Sequence, residues 1–260
     1  MSKSSDILTK IPKIKHREET LVQSGDDISF DRVIRSRRSV RSYKDEAMPQ
    51  SVMNKALDWA LLAPTSSNLQ CWEFHQVKSQ DKKALLVKAC LGQSAARTAS
   101  ALVVAVARTK TWPKINKLML EEFEKQGDKV PSIAKTYYEK IVPFFYGQGF
   151  LGIKGFFKRI MFFIRGLFSP TPRGPKSKAD MRVWSVKTTA LACENFMLGM
   201  TAQGYDTCPM EGFDEVRVKK LLNLPNDAEV VMVIGCGKRA ENGVYAAQLR
   251  FDKKLFLFDH

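Results

Sequence analysis

Three short stretches of this chain concentrate its charged, hydroxyl and turn-forming residues, and the first is suited to gripping a phosphate group. Arg37-Arg38-Ser39-Val40-Arg41-Ser42-Tyr43 packs three cations and a hydroxyl into its first five residues. A guanidinium offers two parallel N–H donors to a phosphate, and a neighbouring hydroxyl adds another. Arg37, Ser39 and Arg41 alternate, so an extended backbone would project them to one side, with Arg38 opposite. Far along the chain, Pro209-Met210-Glu211-Gly212-Phe213-Asp214 offers a backbone turn built around one glycine beside a carboxylate. Between them, Ala63-Pro64-Thr65-Ser66-Ser67-Asn68-Leu69-Gln70-Cys71-Trp72 supplies small hydroxyls and an amide where a helix ends. Taken singly, each has a plainer account: a solvated basic loop, a loop before a capped helix, and an ordinary Pro/Ser/Asn turn.

The elements that must position these stretches follow from periodicity. Phe30, Val33 and Ile34 begin a short helix that ends near the arginine cluster. Pro49 opens a second helix, in which Val52, Met53, Ala56, Leu57, Ala60 and Leu61 form a core-facing stripe stopped by Pro64. Trp72 to Val77 partly alternates and is expected to be a strand. A helix is expected over Lys82–Leu91. The unbroken apolar run Ala101–Ala107 is expected to be a central strand covered on both faces. A long helix spans roughly Val183 to Gln203, with Gly204 in the capping position beyond it. Asp214 caps a short helix through Leu222, and Glu229–Gly235 is a last buried strand. Helices alternating with a few strands make the fold class α+β, with a small central β-sheet flanked by helices.

Residues 110–182 differ from the rest and read as a basic, Phe-rich inserted segment. Ile141–Phe168 holds eight of the sixteen phenylalanines, the cations Lys154, Lys158, Arg159 and Arg165, and no acidic residue. Lys154, Lys158 and Arg165 fall within about 40° of one another on a helical wheel. Four cations argue against a bilayer span. Gly147, Gly149, Gly152, Gly155 and Gly166 argue against one uninterrupted helix, and Pro170, Pro172, Gly174 and Pro175 form a turn-rich linker.

Composition narrows the class. The chain has 260 residues, 44% hydrophobic and 27% charged, which suits a soluble globular protein with a substantial core. Its net charge of +15 favours anionic partners without choosing among cofactor phosphates, acidic substrates, membrane surfaces and nucleic acid. Five scattered cysteines form no CxxC pair, and the three histidines (His16, His75, His260) give little for metal ligation, so neither a disulfide framework nor a metal site is expected. No nucleophile triad is evident, and Gly235-Cys236-Gly237 lacks the third glycine and following helix of a dinucleotide fingerprint. Residues 1–27 read as a polar N-terminal extension without a signal-peptide core, so a cytoplasmic protein is expected.

Taken together, the three motifs resemble the FMN-dependent nitroreductase family, over residues 30–107 and 183–250. That resemblance implies a nitroreductase-like fold, a single domain over residues 28–260, and a homodimer with two flavin sites at its interface. It carries Arg37, Ser39 and Arg41, with Arg38 beside them, onto positions that bind the phosphate and ribityl end of FMN. It also carries over Arg250, fifteen residues after Gly235, and Lys238 or Arg239 only weakly. Pro64, Thr65, Ser66 and Asn68 match a loop that reaches the flavin from the partner subunit. The family commonly has proline before the tryptophan, where this chain has Cys71. Pro209, Met210, Glu211 and Gly212 match the turn beside flavin N5, and the backbone N–H groups of Glu211 and Gly212 take the catalytic role of donors to N5.

The implied activity is hydride transfer from NADH or NADPH through flavin N5 to a nitroaromatic, quinone or similar flat acceptor, with ping-pong kinetics. By position, the 110–182 segment would roof the flavin and shape the acceptor pocket. Its cationic stripe suits peripheral contact with an anionic membrane surface; the alternative is that its apolar residues are buried in an enlarged dimer interface. Two rivals remain. One keeps the flavin and reduces or dehalogenates another lipophilic substrate; the other is a basic membrane- or nucleic-acid-binding protein without catalysis, with nucleic acid the less favoured partner.

Overall fold

The computed structural model describes residues 26–149 and 152–260. The expected extension over residues 1–27 lies outside the described residues, apart from Asp26 and Asp27, which begin the first helix. Four strands form one antiparallel sheet: β1 (Trp72–Val77), β2 (Ala101–Arg108), β3 (Asp206–Met210) and β4 (Ala228–Gly237), in the order β1-β2-β4-β3. The apolar run of β2 occupies an inner position, and all six residues from Leu102 to Ala107 are buried. Alternation sends Leu102, Val104 and Val106 to one face and Val103 and Ala105 to the other, so an unbroken apolar strand needs cover on both sides.

That cover comes from helices on each face. On one side Leu86 of α3 (Gln80–Ala89), Ala95 and Ala96 of α4 (Ser94–Arg97) and Val218 of α10 (Glu215–Leu221) pack against the sheet. On the other, Met53 and Ala56 of α2 (Gln50–Ala60) pack with Phe196 and Met200 of α9 (Lys178–Ala202). The expected α+β class with a small central sheet is therefore the observed one. The long helix starts five residues earlier than periodicity indicates, because Ser177 caps it by accepting from Asp180 N at 3.0 Å. Gly204 stands just beyond it at φ +73, in the left-handed conformation its position calls for.

Strand β3 escapes a pattern search. Asp206, Thr207 and Pro209 break any apolar alternation, and proline is tolerated because the strand lies at the sheet edge. The first helix, α1 (Asp26–Ser36), delivers the arginine cluster directly onto this edge.

The 110–182 segment is helical but broken: α5 (Trp112–Gln126), α6 (Ser132–Thr136), a π turn over Tyr137–Ile141, α7 (Val142–Tyr146) and α8 (Ile153–Phe168). Gly147, Gly149 and Gly152 do interrupt it, whereas Gly155 and Gly166 sit inside α8. A Cβ on Gly155 would collide with the Lys176 carbonyl oxygen, so glycine here permits the linker to cross the helix closely. The expected three-cation stripe borders one open groove but is divided by burial: Lys158 is buried while Lys154 and Arg165 are exposed. Among the described residues, no helix is long and apolar enough to cross a membrane.

All five cysteines are free and buried, and burial pushes the Cys193 thiol up to about 12. A charged knot closes the far end of β2. Arg108 donates to both oxygens of Asp227 at 3.0 Å each and to Glu73 at 2.5 Å. Burial alone would raise the Asp227 carboxyl, but the bonds and charge of Arg108 outweigh it and hold the group below its ordinary value. A depressed carboxyl contributes stability above its unfolded-state pKa and loses it as pH falls through the folded one. Arg108→Ala should therefore lower unfolding free energy by about 3 kcal/mol at pH 7. The gap to wild type in urea should narrow below about pH 4, as Asp227 protonates. A gap unchanged down to pH 3 would show that this ion pair does not stabilise the fold.

Candidate functional site

The segment after α1 runs beside the sheet edge as a short added strand. Val40 N donates to Thr207 O at 3.0 Å, Arg41 N to Gly243 O at 2.7 Å, and Lys44 N to Lys238 O at 2.8 Å. Val40 and Tyr43 are buried and anchor it. Burial raises the Tyr43 phenol well above its ordinary value, so it stays protonated and donates to Gly235 O at 2.9 Å. With these side chains turned inward, the polar ones turn out.

Arg37, Arg38, Ser39, Arg41 and Arg250 line one cleft of about 260 Å³ together with Val244–Leu249. No carboxylate is among the lining residues. Arg38 was expected opposite the others; instead its Nη2 donates to Ala246 O at 2.5 Å and it joins the same cleft. The strand is bounded by sheet-edge bonds on one side and by Gly243 on the other, so its residues do not follow a free two-residue alternation. Arg250 Nη1 donates to Leu249 O at 2.7 Å. Arg37 Nε lies 3.9 Å from Glu194 of α9, a neighbour the sequence does not announce.

Lys238 and Arg239 are engaged elsewhere. Lys238 Nζ donates to Gly204 O at 2.6 Å and lies over the Tyr205 ring, and Arg239 Nη2 donates to Asp206 at 2.5 Å. They brace the sheet edge and do not line the cleft.

The second motif begins on the same edge strand. Pro209 and Met210 pair with Ile234 and Val233 of β4, and the chain then leaves the sheet at Glu211 and Gly212. Both are exposed, and among the described residues their N–H groups have no protein acceptor. Gln93 Nε2 donates to Gly212 O at 2.7 Å and holds the turn, while Asp214 N donates to Ala89 O at 2.8 Å. Gln93 is a supporting residue that no sequence motif marked. From Thr207, where the arginine segment is fastened, to Glu211 is four residues, or about 13 Å along a strand. A cleft lined by four arginines and an exposed turn with free donors among the described residues thus lie along one edge.

The third motif stands apart from that cleft. The Pro64–Trp72 loop turns through Ser67, Asn68 and Gln70, all at positive φ without glycine, so its shape is held against local preference. The holding groups come from the helical arm. Ser66 Oγ is 2.9 Å from Tyr146 Oη, Ser67 Oγ is 2.7 Å from Tyr137 Oη, and Tyr138 Oη donates to Ser67 O at 3.0 Å. Thr65 Oγ1 accepts from Gln70 N at 3.2 Å, and Asn68 reaches Met119 Sδ at 3.6 Å. Pro64 is exposed, whereas Leu69 and Cys71 are buried among Tyr138, Val142 and Trp184. Within one chain, then, Pro64, Thr65, Ser66 and Asn68 do not meet the arginine cleft.

Residues 34–238 match the family model described as the Nitroreductase family. The NADH dehydrogenase of Thermus thermophilus is 25% identical over 217 residues, spanning 84% of this chain and 90% of that protein. The solved ydfN protein of Bacillus subtilis has a TM-score of 0.71 at 23% identity, covering 90% of this chain and 100% of its own. A protein of Exiguobacterium sibiricum, solved in complex with FMN, has a TM-score of 0.62 at 22% identity, covering 89% of this chain and 95% of its own. With the family model covering most of its length and the fold shared, the chain belongs to the nitroreductase family.

Proposed function

We propose that Arg37, Arg38, Ser39, Arg41 and Arg250 hold the phosphate of FMN, and that the Glu211–Gly212 turn faces the reactive edge of its ring. As a nitroreductase-family member the protein is an NAD(P)H-dependent oxidoreductase that works with FMN. The observation that carries the residue assignment is the convergence of four guanidiniums and a serine hydroxyl on one carboxylate-free cleft, a donor set fitted to a phosphate dianion. FMN, when bound, supplies the two-electron chemistry between NAD(P)H and an acceptor. The chain's own part is to bind and orient: guanidiniums fix the anionic end, and the free N–H groups of Glu211 and Gly212 donate at the ring edge. The turn leaves room above Gly212, where the only atom within 4 Å of an added Cβ is Gln93 Nε2, at 3.4 Å.

The acceptor we propose is a nitroaromatic, quinone or similar flat molecule that takes the place of the oxidised nicotinamide. Pro64, Thr65, Ser66 and Asn68 complete the site across a homodimer interface, which accounts for their distance from the cleft in one chain. Residues 28–260 form the domain, and the 110–182 arm frames the acceptor side, its tyrosines fixing the loop. Steady-state rates across NAD(P)H and acceptor concentrations test this: parallel double-reciprocal lines with a quinone or nitroaromatic are expected. Intersecting lines would remove the shared pocket, and absence of NAD(P)H oxidation with every flat acceptor would remove the acceptor assignment.

A further inference from the structure

Helix α8 carries its apolar surface on the wrong side for a core. Phe162 and Lys158 are buried against the arm, while the opposite arc, from Phe163 through Phe156, Ile160 and Phe157 to Met161, is exposed. Phe157 is 64% and Phe163 63% exposed, and Phe168 at the helix end is 83% exposed. At 100° per residue this arc spans about 160°. Cations stand at both of its edges, Lys154 and Arg165 on one side and Arg159 on the other. From Ile141 through Ala179 there is no acidic residue.

The arc continues into a groove of about 1300 Å³ between α7 and α8, lined by Phe144, Phe157, Ile164 and Phe168 with Lys154 and Arg165 at its margin. The helix is firmly placed. Lys158 Nζ donates to the carbonyls of Phe144, Phe145, Gly147 and Pro175 at 2.8–3.2 Å, sharing three protons among four acceptors. Burial lowers this ammonium from its ordinary value, with the charge of Asp180 opposing.

We propose that α8 docks on the surface of an anionic phospholipid bilayer, lying in the interface plane with its aromatic arc among the acyl chains and Lys154, Arg159 and Arg165 on the phosphates. Charge selects this occupant. An apolar arc bordered by cations matches acyl chains below anionic headgroups. A second copy laid on the same arc would set α8 cations against α8 cations, with no carboxylate in the segment to pair them. Docking here also has a reach into the molecule: Lys158 ties α8 to the end of α7, and Tyr146 of α7 bonds Ser66. The bilayer surface and the Pro64–Trp72 loop are thus two ends of one braced arm, an arrangement that suits a membrane-dissolved acceptor.

Co-sedimentation of the FMN-loaded protein with phosphatidylglycerol vesicles tests the assignment, with phosphatidylcholine vesicles as the neutral control. Wild type should pellet with the former and not the latter, and salt should release it. The variant K154Q/R159Q/R165Q should lose about a hundredfold in partitioning, as three surface cations are removed. Phe156→Gln with Phe163→Gln should lose vesicle binding while retaining FMN content, so a failure of docking is separable from a failure of the cofactor assignment. Wild type that ignores phosphatidylglycerol vesicles at low salt would overturn the proposal. So would vesicle binding unaltered by both sets of substitutions. A double-phenylalanine variant that splits an oligomer in sedimentation velocity, from a wild type that does not bind vesicles, would assign the face to a second copy.

Discussion

Arg37→Ala and Arg250→Ala should each weaken FMN binding about ten- to hundredfold, since each removes a charge-assisted bond worth roughly 1.5–3 kcal/mol. The two residues come from opposite ends of the chain and meet only through the fold: Arg37 follows α1 on the sheet edge, and Arg250 follows the Val244–Leu249 stretch that lines the same cleft. Each can be removed with little effect on the framework. Arg37 is 3.9 Å from a half-exposed Glu194, too far for a hydrogen bond, and among the described residues Arg250 bonds only the carbonyl of its neighbour Leu249. Unfolding midpoints without FMN should therefore stay close to wild type while the FMN dissociation constant rises. Arg38 is the less clean probe, because its bond to Ala246 O also secures the Val244–Leu249 stretch. Unchanged FMN affinity in both variants would show that the cleft is not the phosphate site.

Gly212→Val should reduce turnover about a hundredfold with FMN still bound, because a displacement near 1 Å at the reacting centre has that effect. Glycine is not required here by backbone conformation, since Gly212 is absent from the positive-φ residues. Nor is it required by packing: an added Cβ would meet only the flexible end of Gln93, at 3.4 Å. The fold therefore tolerates a side chain that the ring would not, and valine's methyl groups would occupy the space over the free N–H groups of the turn. Stopped-flow measurement of NAD(P)H oxidation, beside a urea unfolding curve, separates the two effects. Loss of stability with no kinetic defect beyond it would make the turn a support for α10 and nothing more.

How far these residues announced themselves depended on whether the signal was local. Strand β2 was legible because burial on both faces leaves a continuous apolar run, and α2 because Met53, Ala56 and Ala60 mark one helical face. The edge strand β3 was not, since an edge position tolerates Asp206 and Pro209 and so carries no pattern. The arginine cluster was visible as composition, and its proposed role at a phosphate rests on resemblance and on the cleft the fold builds from it. The Val244–Leu249 stretch of the lining meets Arg38 and Arg250 through the carbonyls of Ala246 and Leu249, a contact that leaves no trace in side-chain type. Gly155 and Gly166 misled for a related reason: they read as breakers, whereas a close crossing by the linker after α8 is what requires Gly155 to lack a side chain. Lys158 counted as a surface cation in the sequence because nothing local shows that four carbonyls converge on it. The tyrosines that shape the Pro64–Trp72 loop lie about 70–80 residues away in the arm, beyond any motif window.

The most direct test of the phosphate cleft is a calorimetric titration of flavin-free protein with FMN and, separately, with riboflavin, which has the same ring and ribityl chain and no phosphate. Two charge-assisted bonds alone correspond to about a hundredfold or more in affinity. Wild type should therefore bind FMN at least about a hundredfold more tightly than riboflavin, and the ratio should collapse when Arg37 and Arg250 are both alanine. Riboflavin bound as tightly as FMN by wild type, or neither flavin bound at all, would contradict the account.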